Sequence, residues 1–430
     1  MSIGRIARRT TEVLKEDGLI EVIKRVLRYI KRRIKDKLDN NALTYRKNYE
    51  EANAIFHKIL KKEKFKAVVV FDSRVGWNIP LFQRSQHMAN ELTDDGYLYF
   101  YRTSEQFDPH VKTVEKLKDR LYLVNMANFA LQNAMFDLLK EYKGHKFLSL
   151  YSTDVYLDEQ YIKEKYIDNG FKIIYEYVDD LSDDIAGFKI SDEIKASHKR
   201  MLEDTEKVYV VTTADKLYQE AKELRGENKL ALVTNGVQYE HFANIDCKKI
   251  PDKMKNIVNS KKKIIGYFGA LASWFDYDLI KELAEEFKDD YEIVLIGIDY
   301  DQSLGKSGIL KLDNVHYLGT VNYNELPTYS KFFNVSIIPF VVNEITEATS
   351  PVKLFEYMAL GKPIVTTALP ECRKYESPLV SDSHEDFINN IKKAAELENS
   401  KEYIELLRKE GNQNTWRQKA KDIKELILNS

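Results

Sequence analysis

Short, unbroken apolar runs that stop at polar clusters alternate along this chain with stretches whose apolar residues fall three and four apart. AVVVFDSRV begins at Ala67, and YLYFYRT, RLYLVNM, KFLSLYS, FKIIYEYVDDL and VYVVTT follow. A run with no polar alternation is a strand buried on both faces, which marks a parallel sheet covered by helices. Between the runs, FQRSQHMANEL and ADKLYQEA have helical spacing, so the pattern predicts a doubly wound α/β domain. After Asn244–Lys263, a Lys- and Asn-rich stretch that reads as a linker, the alternation restarts with KKIIGYFG, YEIVLIGIDYD, NVHYLGTV, FNVSIIPFV and PIVTT. A second domain of the same class is expected there.

The densest stretch is SPVKLFEYMALGKPIVTT, residues 350–367. Ser350 suits a helix N-cap and Pro351 the first helical position, where a missing N–H costs nothing. Val352, Phe355, Met358 and Ala359 recur at helical spacing, Gly361 ends the helix as a left-handed cap, and a β-branched strand follows. Lys353 and Glu356 share one face near the helix start. That start is a seat for phosphate, with the carboxylate placed to accept from a sugar hydroxyl; an ordinary surface ion pair is the alternative.

Composition then narrows the class. With 430 residues, 43% hydrophobic and 31% charged, the chain has material for two full cores and is not disordered. A net charge of −2 leaves any membrane or nucleic-acid affinity to local patches. Cys247 and Cys372 are far apart, which argues against a disulfide framework or zinc site and for a reducing cytoplasm. No apolar run approaches the ~20 residues that span a bilayer. The chain also begins without the apolar core of a signal peptide, so a cytoplasmic location is expected. Residues 1–40 carry a local charge of +6 and repeat Leu19, Ile23, Val26, Leu27, Ile30, Ile34 and Leu38 at helical steps. This basic amphipathic helix could pack on the protein, lie on an anionic membrane, or bind nucleic acid; so apolar a stripe suits phosphate backbones least.

Ligands of doubly wound sheets bind beyond the carboxyl ends of strands. In the first domain Gln83, Arg84, Gln86, His87, Asp179 and Asp180 occupy such places. Adjacent carboxylates can supply a general base, each raising the other's pKa, or can simply cap the next helix. In the second domain Gly266 and Gly269 permit close backbone approach to a diphosphate, although G-x-x-G is not a dinucleotide fingerprint. The Asp276/Asp278 and Asp299/Asp301 pairs have neither a His nor a third carboxylate beside them in sequence, and no metal site is assigned.

The colinear set RVGWNIPLFQRSQHMA, IIYEYVDDLSDD, VVTTADKL, VTNGVQYEHF, FGALASWFD, NVHYLGTVNYNELP, SIIPF and TSPVKLFEYMALGKPIVTT resembles GT-B glycosyltransferases of the group 1, or family 4, type that build bacterial surface polysaccharides. The resemblance covers roughly residues 66–376, with the C-terminal helix around Trp416 also fitting. It implies two Rossmann-like domains facing a cleft and transfer of a sugar from a nucleoside diphosphate sugar to a saccharide or lipid-linked acceptor. UDP is the first choice of nucleotide, then dTDP or GDP, and no cofactor or metal is implied. Glu356 would hold the ribose hydroxyls, and Lys353 the diphosphate together with backbone N–H groups at Gly269, Ala270, Thr349 and Ser350. The Tyr317-Leu318-Gly319 segment would face the base, and Asp179 or Asp180 would be catalytic or bind the donor sugar. Two departures stand out. The glutamate expected eight positions before Glu356 is Ala348, and the Arg and Lys usual after the glycine loop are Trp274, Phe275 and Asp276.

The implied layout is a basic helical arm over 1–60, an acceptor domain over 61–245 and a nucleotide-sugar domain over 246–400. A helix over 401–430 would return to the first domain. An anionic membrane is the expected peripheral contact of residues 1–40, and nucleic acid is not an expected partner. A nucleotide-sugar epimerase on the same fold, or a non-catalytic partner subunit, are the alternative functions.

Overall fold

Eight strands make the first sheet: β1 (Ala67–Phe71), β2 (Leu98–Arg102), β3 (Val114–Lys118), β4 (Leu121–Val124), β5 (His145–Tyr151), β6 (Lys172–Tyr177), β7 (Val208–Thr212) and β8 (Leu230–Leu232). Their order is β3-β4-β2-β1-β5-β6-β7-β8. All neighbours are parallel except β3 and β4. The apolar runs read from the sequence form the interior strands because helices cover both their faces. β1 and β4 are buried at every position, whereas β3, VEKLK, is a half-exposed antiparallel edge.

The second sheet holds β9 (Lys263–Phe268), β10 (Tyr291–Ile296), β11 (Val315–Tyr317), β12 (Val335–Ile338), β13 (Ile364–Thr367) and β14 (Leu379–Ser381). It is wholly parallel in the order β11-β10-β9-β12-β13-β14. The order reverses between β9 and β12, and a crevice opens beyond the carboxyl ends of strands at such a switch point. The two parallel-sheet domains expected from the sequence are both present.

This computed structural model describes residues 42–153, 159–181, 183, 189–245 and 249–428. The basic arm of residues 1–40 and Cys247 lie outside them. The chain divides into two units, residues 1–63 with 125–143, and residues 64–124 with 144–430. In the first unit, helix Ala42–Lys62 pairs with helix Phe129–Glu141. Tyr49 Oη donates to Asp137 at 2.8 Å and Asn133 Nδ2 to Tyr45 Oη at 2.8 Å.

The second unit contains both sheets. Val69, Phe71, Tyr99 and Tyr101 of the first sheet share a core with Trp416, Ala420, Ile423 and Ile427, so the final helix, Trp416–Leu428, lies on the first sheet. Its Lys424 is paired with Asp95. The linker expected over Asn244–Lys263 is partly built into the second core. Short helical turns at Asp252–Met254 and Lys255–Asn259 bury Met254 and Ile257 there, alongside Val237 and Phe242. Among the described residues no helix is long and apolar enough to cross a membrane.

Candidate active site

Helix Val352–Leu360 is buried on nearly its whole circumference, with Leu354 through Leu360 all inaccessible. Gly361 ends it at φ 71°, as the sequence indicated. Its beginning differs from expectation. Pro351, not Ser350, occupies the N-cap, and the Ser350 hydroxyl instead accepts the Asn235 N–H at 3.2 Å. Asn235 Nδ2 also donates to Ser350 O at 2.7 Å, so Ser350 ties the loop after β8 to the start of this helix. A cap serves its own helix; here a longer-range partner takes the oxygen.

This helix start borders a cavity of about 620 Å³, within the range of small-molecule sites. The wall combines Gln83, Asp179, Asp180, Gly269, Ala270, Thr349, Ser350, Lys353 and Glu356, which the sequence singled out, with Thr153, Trp274, Tyr300, Thr320, Val321 and Tyr323. Tyr317 and Gly319 do not line it. The Tyr317 hydroxyl donates to Gly297 O at 2.8 Å, and Gly319 O accepts the Gly297 N–H at 2.9 Å. Both brace the neighbouring turn, while Thr320, Val321 and Tyr323 supply the wall.

Lys353 and Glu356 do not form the surface ion pair allowed by the sequence. Glu356 is 5% exposed, and no hydrogen bond to another described residue is seen at its carboxyl. Burial raises its pKa to about 8 against the opposing pull of Lys353. The Lys353 ammonium sits 4.6 Å from the Phe340 ring centroid and 5.4 Å from that of Tyr267. Burial lowers its pKa to about 8, with Glu356 acting the other way. Burial of this kind favours the neutral carboxyl, which borders the cavity.

The glycine turn after β9 is shaped by this lysine. Gly269 has φ +142°, and a Cβ there would lie 2.7 Å from Lys353 Cε. A Cβ on Gly297 would in turn overlap Gly269 O. Not all the expected backbone donors are available. The Gly269 N–H donates to Ile296 O at 2.9 Å and the Thr349 N–H to Thr346 O at 3.2 Å. Among the described residues the Ala270 and Ser350 N–H groups have no such backbone acceptor.

Asp179 and Asp180 are half-buried at the end of β6, and neither carboxyl makes a hydrogen bond among the described residues. Burial, then the charge of Asp180, push Asp179 up to about 7. The segment they were alternatively expected to cap lies largely outside the described residues. Arg84 and His87 turn away from ligand roles. Arg84 Nε donates to Glu176 at 2.7 Å in a buried pair, and Nη1 donates to Thr234 O at 3.1 Å. His87 is stacked on Trp416 with ring centroids 4.8 Å apart, and its burial lowers its pKa to about 3. Gln86 accepts the Gln83 N–H at 3.0 Å and so completes a capping box, leaving Gln83 on the cavity wall.

The acids of the second domain are occupied by structure. Asp276 accepts the Leu279 N–H at 2.9 Å, and His384, distant in sequence, hydrogen-bonds both Asp276 and Glu282. A histidine therefore does join Asp276, contrary to expectation, but the described residues hold no group that could cage a metal ion. Among the wall residues that the sequence reading missed are two aromatics, Tyr323 and Trp274. Tyr323 stacks between Phe82 at 5.2 Å and His241 at 4.8 Å. Trp274 appeared in the sequence only as a departure. Loop aromatics carry no periodicity, and only a tertiary contact reveals them.

Known proteins resemble this chain in part of its sequence and in its fold. Residues 262–396 match the family described as Glycosyl transferases group 1. A Bacillus subtilis (strain 168) protein with the provisional name teichuronic acid biosynthesis glycosyltransferase TuaH is 30% identical over 233 residues. That match spans 52% of this chain and 57% of the relative, a little over half of each. Anabaena Alr3699/HepE, solved with UDP and glucose, superposes with a TM-score of 0.62 at 11% identity, over 85% of this chain and all of that one. WaaG, a glycosyltransferase involved in lipopolysaccharide biosynthesis, gives 0.57 at 13% identity over 84% of this chain and all of its own. At such identities the superpositions speak to the fold. Residues 262–396 thus match the group 1 glycosyltransferase family, in a chain whose two-sheet fold is that of the GT-B neighbours.

Proposed function

We propose that this chain is a glycosyltransferase that moves a sugar from a nucleoside diphosphate sugar to a saccharide or lipid-linked acceptor in cell-surface polysaccharide or glycan synthesis. The observation that carries the reading is the convergence of Glu356, Lys353 and the Gly269 turn on one cavity at the switch point of the second sheet. Glu356 accepts hydrogen bonds from the ribose hydroxyls. Lys353, with the Ala270 and Ser350 N–H groups, offsets the charge that grows on the diphosphate as it leaves. UDP is the proposed nucleotide, in keeping with the UDP bound to HepE.

Asp179 and Asp180 face the same cavity from the first sheet and hold the acceptor hydroxyl. In an inverting transfer Asp179 takes its proton; in a retaining one both carboxylates only orient the sugar. Residues 1–40 are proposed to keep the enzyme at the cytoplasmic face of an anionic membrane, near a lipid-linked acceptor. The reaction is proposed to need no metal.

Titration calorimetry with UDP-, dTDP- and GDP-sugars tests the site. Glu356→Ala and Lys353→Ala are each expected to weaken donor binding at least about tenfold, the scale of a lost charge-assisted contact. Unchanged binding in both variants would remove the assignment. Net turnover of the donor to an isomeric nucleotide sugar without acceptor would favour the epimerase instead.

A further inference from the structure

One end of the cavity is aromatic rather than charged. Trp274, in the turn after β9, and Tyr300, after β10, both line it, with ring centroids 5.9 Å apart and planes at 44°. Tyr300 is 63% exposed, and Val341 and Val342 beyond β12 are exposed beside them in the fold. The Val341 N–H donates to Trp274 O at 2.8 Å, and the Tyr300 N–H to Leu271 O at 2.8 Å. Asp301 accepts from the Ser273 N–H at 2.8 Å and the Ser303 N–H at 3.0 Å. The rings therefore stand on pinned backbone, and that acid is already engaged.

This end adjoins the cation. Phe340, which carries the Lys353 ammonium at 4.6 Å, precedes the residue bonded to Trp274. No carboxylate from the segment before the helix reaches the cavity. Ala348 is buried, Glu347 is exposed and outside the wall, and Ile345 and Thr346 line it instead. A ligand group here meets two aromatic faces and apolar neighbours one step from the diphosphate seat. A pyranose ring has one such complement, the apolar C–H face that packs on an electron-rich ring.

We propose that Trp274 and Tyr300 form a stacking subsite for the apolar face of a pyranose ring, replacing recognition by a carboxylate at this end of the cavity. The proposal rests on the nucleotide-sugar reading of the cavity. The ring belongs to the donor sugar or to the acceptor, and the two arms of the following experiment separate them.

Calorimetry on the full chain compares wild type with Trp274→Leu, Tyr300→Leu and Trp274→Phe. The probes are UDP, dTDP and GDP, then UDP-glucose, dTDP-glucose and GDP-mannose, and finally methyl α-glucopyranoside added to the nucleotide-loaded protein. Both leucine variants are expected to bind the free nucleotide within about twofold of wild type. They should lose about five- to tenfold in affinity for the nucleotide sugar if the ring is the donor's, or for the methyl glycoside if it is the acceptor's; Trp274→Phe should retain most of it. Weaker binding of the free nucleotide in the leucine variants would assign the rings to base or phosphate and overturn the proposal. So would a sugar-dependent affinity that is absent in wild type or equal in every variant. Failure of all three nucleotides to bind wild type, or full binding by Glu356→Ala, is a separate result that removes the nucleotide-sugar reading and this subsite with it.

Discussion

Asp179 sits in an environment that its neighbours in sequence describe only in part. A carboxyl at a strand end is ordinarily ionised well below neutrality, yet burial and Asp180 place this one at about 7. For a group that must be deprotonated to act, the active fraction rises with pH. In an inverting transfer the acidic limb of kcat/KM is therefore expected to rise through about pH 7 and to disappear in Asp179→Asn. A pH–rate series on both proteins, with product stereochemistry read in parallel, checks it; an unchanged limb in Asp179→Asn assigns the titration elsewhere. Lys353 and Glu356 were legible because one helical turn fixes their spacing. For Asp179 the upward push of Asp180 was legible, but the larger cause was not, since desolvation is a property of what the fold packs around a group. The engaged N–H groups of Gly269 and Thr349 were hidden for a related reason, because their acceptors lie on other turns or depend on local turn geometry.

At the level of elements, continuous apolar runs were sufficient to find the interior strands. β3 was missed because VEKLK is a polar edge, and β8 and β14, three residues each, are too short for any period to register. Helix Val352–Leu360 declared its end through Gly361 but not its beginning, because the Ser350 oxygen is taken by Asn235. The last helix shows how one large side chain can anchor an element. Trp416 is 1% exposed in a core with Tyr99 and Tyr101, and its backbone N–H donates to Val237 O at 3.1 Å. Trp416→Ala is expected to lower stability by about 3–5 kcal/mol, the range for emptying a large aromatic site. Denaturant unfolding measures it; a loss under about 1 kcal/mol would mean the helix contributes little to the first sheet's core.

Across the molecule, one polar chain joins the two sheets. Glu176 on β6 accepts from Ser149 on β5 at 3.3 Å and from Arg84 at 2.7 Å. Arg84 Nη1 reaches Asn235 Oδ1 at 3.4 Å, and Asn235 grips Ser350 at the head of the second domain's helix. The Arg84–Glu176 pair is almost wholly buried, with 5% of each side chain exposed. Removing one partner leaves the other charge uncompensated. Arg84→Met is thus expected to destabilise by about 3–5 kcal/mol, and Arg84→Met with Glu176→Leu to recover part of that loss. Equal unfolding midpoints for the single and double variants would show that the charges are not coupled. The first sheet thereby bears on the geometry of a cavity lined mostly by the second.

What the sequence alone determined follows from short-range physics. Strand burial, the helix ended by Gly361, and the pairing of Lys353 with Glu356 on one face all depend on neighbours a few positions away. Two α/β domains and a helix carrying Lys353 and Glu356 one turn apart could therefore be read directly. The tertiary structure decided what depends on distant partners. It withdrew Tyr317 and Gly319 from the cavity wall, and it placed Trp274 beside Tyr300, and Phe82 beside Tyr323, across long stretches of chain. It also left Glu356 buried without a partner. Side-chain chemistry is written locally, but burial and juxtaposition are set by strand order, and strand order is a long-range choice.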